Sequence, residues 1–329
     1  MNNIKPEVHR QRHRLVDVVP LRTPYVIFID PSSVCNFKCK FCPSNNANGV
    51  EHEIMKDETF KSVLKGLSSF PEKVKVIEFY CIGEPLINKN VTSWIKTLKN
   101  GYCEKVRLTT NGSLLTHALS QELVDSELDY IKISIEALNT QGYENICGVK
   151  IDYDKLVNEI QYLYSISRNR NLELAIKILD VGLETEEDKQ KFLDIFAPIS
   201  DYAFIEIIKD NWAEYDAIPK ESSIDVSNID YYTKHATEYS ICAYPLTHML
   251  VHSNGDIGVC CHDWKHGTCY GNVKDTLLID AWNSKHLKEF RIKHLEGKRD
   301  EIPFCKSCSR VSFDNVDSDA KNIILKLRN

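Results

Sequence analysis

Three cysteines fall within eight residues, in the run Cys35-Asn36-Phe37-Lys38-Cys39-Lys40-Phe41-Cys42. This C-x3-C-x2-C spacing brings three thiolates to one centre, and thiolate is the usual ligand of iron–sulfur clusters. Three ligands on a 4Fe–4S cluster leave one iron open to an exogenous group. A zinc loop is the alternative; zinc wants a fourth ligand, for which His52 is the nearest candidate. A second set, Cys242, Cys260, Cys261, Cys269, Cys305 and Cys308, holds half of the chain's 12 cysteines. Within it Cys305-Lys306-Ser307-Cys308 is C-x2-C, which presents two thiolates to one metal. The polar segment Met1–Arg14 has no apolar secretory core, so the chain is read as cytoplasmic, where thiols stay reduced and metal ligation is favoured over disulfides.

The elements that must hold these thiols follow from hydrophobic periodicity. Strand-like runs at Tyr25–Asp30, Val74–Tyr80, Lys105–Thr109, Tyr130–Ile135, Leu172–Leu179 and Ala203–Ile208 alternate with amphipathic helical patterns at Asp57–Ser69, Asn90–Asn100, Thr116–Ser126, Tyr153–Asn169 and Glu186–Ala197. Largely apolar strands separated by helices predict an α/β fold with a parallel sheet, a partial (β/α)6 TIM-like barrel whose functional loops follow the strand C-termini. The pattern stops after Ile208. Residues 1–24 read as an N-terminal extension, 25–208 as the barrel, 209–240 as a linker, 241–310 as a small α+β domain and 311–329 as a C-terminal tail. In the small domain Ser253-Asn254-Gly255 predicts a hairpin turn between Met249–His252 and Asp256–Cys260. A helix is expected over Leu277–Leu295 and a short one in the tail.

The chain has 329 residues, 43% of them hydrophobic and 27% charged, with a net charge of −6. That composition suits about two soluble domains and excludes wholesale disorder. It offers no basic field for nucleic acid, and no apolar run approaches the ~18 residues needed to span a membrane.

C-x3-C-x-aromatic-C after the first strand of a β/α fold resembles the radical S-adenosylmethionine (radical SAM) superfamily. The resemblance implies that Cys35, Cys39 and Cys42 hold a cluster whose open iron chelates SAM, with Phe41 near the adenine. It further implies reductive cleavage of SAM to methionine and a 5′-deoxyadenosyl radical that takes a hydrogen atom from a substrate. Supporting segments follow successive strands. Cys81-Ile82-Gly83-Glu84-Pro85 is similar to the Gly-Gly-Glu-Pro motif that binds the SAM amino group, with Ile82 at the first glycine and Gly83 and Glu84 retained. Thr109-Thr110-Asn111-Gly112 brings Asn111 to the next strand end. Ser134 and Glu136 match polar positions that contact the SAM ribose or carboxylate.

Cys242, Gly255 and Cys260 followed by Cys305 and Cys308 resemble the SPASM/twitch extension of this superfamily, which binds auxiliary clusters. One auxiliary 4Fe–4S cluster is expected, on Cys242, Cys260, Cys305 and Cys308, with Cys261 as the alternative to Cys260. Four thiolates close its coordination and leave electron transfer as its chemistry. By resemblance to aminocyclitol dehydrogenases of the family, a small-molecule alcohol (of an amino sugar, cyclitol or nucleotide sugar) would be oxidised, with a general base that the sequence does not identify. The alternatives are an epimerase, with Cys147 as hydrogen donor, a peptide-modifying enzyme, and a non-catalytic iron–sulfur or zinc protein. No flavin or nicotinamide fingerprint occurs, so a flavodoxin or ferredoxin is the expected electron donor.

Overall fold

The computed structural model describes residues 14–45, 49–208, 241–306, 308 and 316–328. Six β/α units lead the chain: β1 (Val26–Ile29), β2 (Val74–Phe79), β3 (Cys103–Thr110), β4 (Tyr130–Ile135), β5 (Glu173–Leu179) and β6 (Tyr202–Glu206). Between them run α2 (Asp57–Leu67), α3 (Val91–Lys99), α4 (His117–Asp125), α5 (Thr140–Cys147), α6 (Tyr153–Ser167) and α7 (Glu186–Phe196), and a short α1 (Leu15–Val18) precedes β1. The sheet is completed by β7 (His248–Val251) and β8 (Ile257–Gly258), in the order β6-β5-β4-β3-β2-β1-β7-β8. Every pairing is parallel except β7 with β8. The partial parallel barrel expected from the sequence is thus present, and the predicted hairpin continues the barrel's own sheet. The expected linker, 209–240, lies outside the described residues, as do residues 1–13 of the extension.

Strand alternation sorts the two faces of the sheet. Ile29, Phe79, Leu108, Ile131 and Leu174 stand opposite one another across five strands and are buried in the main core under the helices. The next row on the other face, Phe28, Glu78, Arg107 and Tyr130, is aromatic and charged. Further along that face lie Thr109 and Lys132, then Ser134 and Lys177. A concave face of this composition is a polar cavity lining rather than a packed core.

Two elements differ from the sequence reading. α5 was not expected; Asn139 caps it by accepting from the Gly142 amide at 2.8 Å, and Gly148 ends it in a left-handed conformation. The helix expected over Leu277–Leu295 is two, Leu278–Trp282 and Lys285–Leu295. Ser284 breaks it by accepting from the Leu287 amide, an N-cap that starts the second helix in a new direction. The tail helix is present at Ala320–Arg328 and packs against α1 and the helix Lys285–Leu295.

Candidate functional site

The loop bearing Cys35, Cys39 and Cys42 follows β1 and is braced on two sides. On one side the amides of Lys38 and Lys40 donate to the Cys147 and Ile146 carbonyls, at 2.8 and 3.0 Å. These are orphan carbonyls at the C-terminal end of α5, so the unexpected helix anchors the loop. On the other side the Glu84 amide donates to the Val34 carbonyl at 2.9 Å. The three thiols lie close enough for each to oppose ionisation of another. Burial above all pushes Cys35 and Cys42 up to about 12. Cys39 is raised as well, first by a hydrogen bond with Cys147 and then by burial. Cys147 itself is fully buried in the core beneath Cys39. It backs the cluster loop through its hydrogen bond with Cys39.

Gly83 occupies a position that admits no side chain, because a Cβ there would overlap the Ser32 carbonyl oxygen. The glycine lets the β2 loop press against the backbone that leads into Cys35. Ile82, in place of the first glycine, turns its side chain into a satellite cluster with Phe28, Leu250 and Trp264. Its carbonyl oxygen lies 4.0 Å from Cys42 Sγ. Glu84 is 1% exposed and bonded within the protein. Its carboxylate accepts from the Thr110 hydroxyl at 2.7 Å, the Asn111 amide at 2.8 Å and the Leu86 amide at 3.0 Å. Glu84 is therefore a strut joining the ends of β2 and β3. Asn111 extends the strut, donating through Nδ2 to Asn36 Oδ1 at 2.9 Å, inside the cysteine loop.

Glu136 behaves differently. Its Oε2 is buried with no hydrogen-bond partner among the described residues. Burial raises it to about 7, offset in part by Lys177, and its charge is felt by both Cys39 and Cys42. An unpartnered carboxylate oxygen beside the cysteine loop fits a polar cofactor group that completes its bonding. Ser134, two residues before Glu136, and Phe41, beside Cys42, are both half-buried. Lys177 and Glu206 form an ion pair at 3.3 Å at the ends of β5 and β6.

The second cysteine set is carried by the β7–β8 hairpin and two short helices. Gly255, at φ +95°, makes the turn, and Cys260 lies two residues past β8. Cys242 precedes the helix Tyr244–Thr247, and Cys305 lies in the helix Pro303–Lys306. Cys242 is pushed up to about 12 by burial and by the neighbouring Cys260 and Cys308. Cys305 is raised by burial and by Cys260, Cys242 and Cys308. These four thiols therefore share one location. Cys261 is buried against Phe28 and Ile82 in the satellite cluster, and Cys269 neighbours His252 and His266. Arg299 was not singled out by spacing. Its guanidinium donates to the Cys308 carbonyl at 2.9 Å, and its charge favours the ionised forms of Cys242 and Cys305.

The profile of the radical SAM superfamily matches residues 29–196, just over half of the chain, and that of an iron–sulfur cluster-binding domain, SPASM, matches 242–309. The chain belongs to the radical SAM superfamily. It is a radical SAM enzyme with a C-terminal SPASM domain, and its cofactors are SAM, a SAM-binding 4Fe–4S cluster and auxiliary iron–sulfur chemistry. It is similar to the S-adenosyl-L-methionine-dependent 2-deoxy-scyllo-inosamine dehydrogenase of Niallia circulans, at 22% identity over 89% of this chain and 95% of that one. Among solved structures, BtrN in complex with AdoMet and 2-DOIA superposes with a TM-score of 0.58 at 20% identity, covering 88% of this chain and 95% of that one. SuiB of Streptococcus suis bound to the precursor peptide SuiA gives 0.64 at 18% identity, over 84% and 69% of the two chains. No helix among the described residues is long and apolar enough to cross a membrane.

Proposed function

We propose that this enzyme oxidises a hydroxyl of a small polar substrate (an amino sugar, cyclitol or nucleotide sugar) to a ketone and passes one electron to an auxiliary cluster on Cys242, Cys260, Cys305 and Cys308. The observation that carries this reading is the convergence of those four thiols. Four protein ligands close a four-iron cluster, so it accepts electrons rather than binding substrate. Arg299 beside it favours the added negative charge. When bound on the cluster of Cys35, Cys39 and Cys42, SAM supplies the radical that removes the substrate hydrogen atom.

The chain's own residues supply the frame. Gly83, Glu84 and Asn111 hold the cysteine loop, and Phe41, Ser134 and Glu136 line the SAM position. The polar concave face, with Glu78, Arg107, Lys132 and Glu206, receives the substrate. Glu78 and Glu206 are the carboxylates placed to take the hydroxyl proton. The similarity to a 2-deoxy-scyllo-inosamine dehydrogenase over nearly its whole length supports a small alcohol substrate. The reductant of the SAM-binding cluster is an external flavodoxin or ferredoxin.

The test is anaerobic turnover with SAM, a reductant and a panel of aminocyclitols and sugars. The expected result is 5′-deoxyadenosine and ketone in equal amounts. Ketone formation at the normal rate by the Cys305→Ser/Cys308→Ser double variant would overturn the electron-acceptor role.

A further inference from the structure

The C-terminal ends of β1, β2 and β7 bring together a third group of ligand-type side chains that neither cysteine set uses. Asp30 follows β1, Cys81 lies just past β2 and His252 follows β7. A carboxylate oxygen, the thiol sulfur and an imidazole nitrogen of these residues all lie within 4.8 Å of one another. Their exposures are 1%, 5% and 2%. Asp30 Oδ1 and His252 Nε2 have no hydrogen-bond partner among the described residues. One unmet buried acceptor is costly, and two at one spot call for a shared electrophilic partner.

We propose that Asp30, Cys81 and His252 form a divalent-metal site of the zinc class that ties the barrel to the C-terminal hairpin. The mixed oxygen, sulfur and nitrogen donor set suits zinc, with water in the fourth tetrahedral position. One carboxylate and one thiolate neutralise a dication, so the buried site carries no net charge. Without the ion burial opposes the charged form of each group: it pushes Asp30 up to about 7, raises Cys81 and lowers His252. On binding, the Cys81 thiol and the protonated fraction of Asp30 release their protons to solvent, and the Cys81 sulfur exchanges its 3.4 Å hydrogen bond to the Cys261 carbonyl for a sulfur–metal bond. Tetrahedral ligands on such bonds sit roughly 3.3–3.8 Å apart, within the spacing these three atoms already keep.

His266 and Cys269 also lie within 4.8 Å of His252, but they form a poorer set. The His252 and His266 rings are stacked, with centroids 3.7 Å apart and planes 21° from parallel. Lone pairs of stacked rings run side by side and cannot converge on one ion. His266 Nδ1 is moreover engaged with Asp256 Oδ2 at 3.0 Å. His266 is the wall behind His252, positioned by Asp256.

The experiment uses the full chain, anaerobically reconstituted to about eight iron per chain so that both cysteine sets are filled. It is equilibrated with zinc, passed through a chelating desalting step and assayed for zinc and iron by mass spectrometry. About one zinc should remain, falling at least ~10-fold in Cys81→Ser and His252→Gln with iron unchanged, while Cys269→Ser keeps it. Failure of the iron-replete wild type to retain zinc overturns the site. So does zinc that survives Cys81→Ser but is lost in Cys269→Ser. If the variants lose iron as well and thus do not fold, the wild-type stoichiometry decides alone.

Discussion

Cys35, Cys39 and Cys42 come from eight consecutive residues, whereas Cys242, Cys260, Cys305 and Cys308 are collected from three segments spread over the C-terminal domain. The first loop is braced independently of any metal, by the carbonyls of α5 on one flank and by Gly83, Glu84 and Asn111 on the other. A metal on the second set would close long loops, and such a centre contributes folding free energy. The contrast suits their tasks. An open cluster must be held with a free iron facing a cofactor, while a closed one need only stay at a fixed place.

The largest effect is expected from Cys35→Ala/Cys39→Ala/Cys42→Ala. 5′-Deoxyadenosine formation should fall to background while circular dichroism and melting temperature stay close to wild type. A collapse in melting temperature would show that the first loop also depends on its metal. The double variant Cys305→Ser/Cys308→Ser should lose about four of eight iron atoms per chain and melt several degrees lower. An unchanged melting temperature would erase the difference between the two regions. Glu84→Gln presents an amide N–H₂ to donors that now meet a carboxylate, at a cost of about 1–3 kcal/mol. Its signature is weakened SAM binding by calorimetry with iron content retained. Arg299→Gln should be the mildest, lowering the reduction potential of the auxiliary cluster by on the order of tens of millivolts in a spectroscopic titration. Normal iron content separates that result from loss of the cluster.

Local spacing made much of this legible from the chain alone. C-x3-C-x2-C, Gly83-Glu84-Pro85 and Cys305-Lys306-Ser307-Cys308 are contiguous, and apolar runs place the first two after strands. What escaped notice depends on distant segments meeting. Arg299 is an ordinary surface-type residue until the Cys308 carbonyl folds onto it. Cys147 read as a possible hydrogen donor, yet α5, with its inconspicuous run Gln141-Gly142-Tyr143-Glu144, packs it under Cys39. Glu84 read as a cofactor contact, and only the register of β2 beside β3 reveals that its carboxylate also ties the two strand ends together. Asp30, Cys81 and His252 share no motif and are neighbours only because β7 lies beside β1.

That last pairing also bears on how the chain is made. Ile29 and Val251 are hydrogen-bonded strand neighbours more than two hundred residues apart in sequence. As the polypeptide leaves the ribosome, the outer edge of β1 has no partner until the hairpin emerges. An open apolar strand edge is a template for unwanted association, and contacts of such long range form late. A fragment ending at residue 208 would expose that edge permanently, so the barrel should express as a well-behaved protein only with its C-terminal third attached.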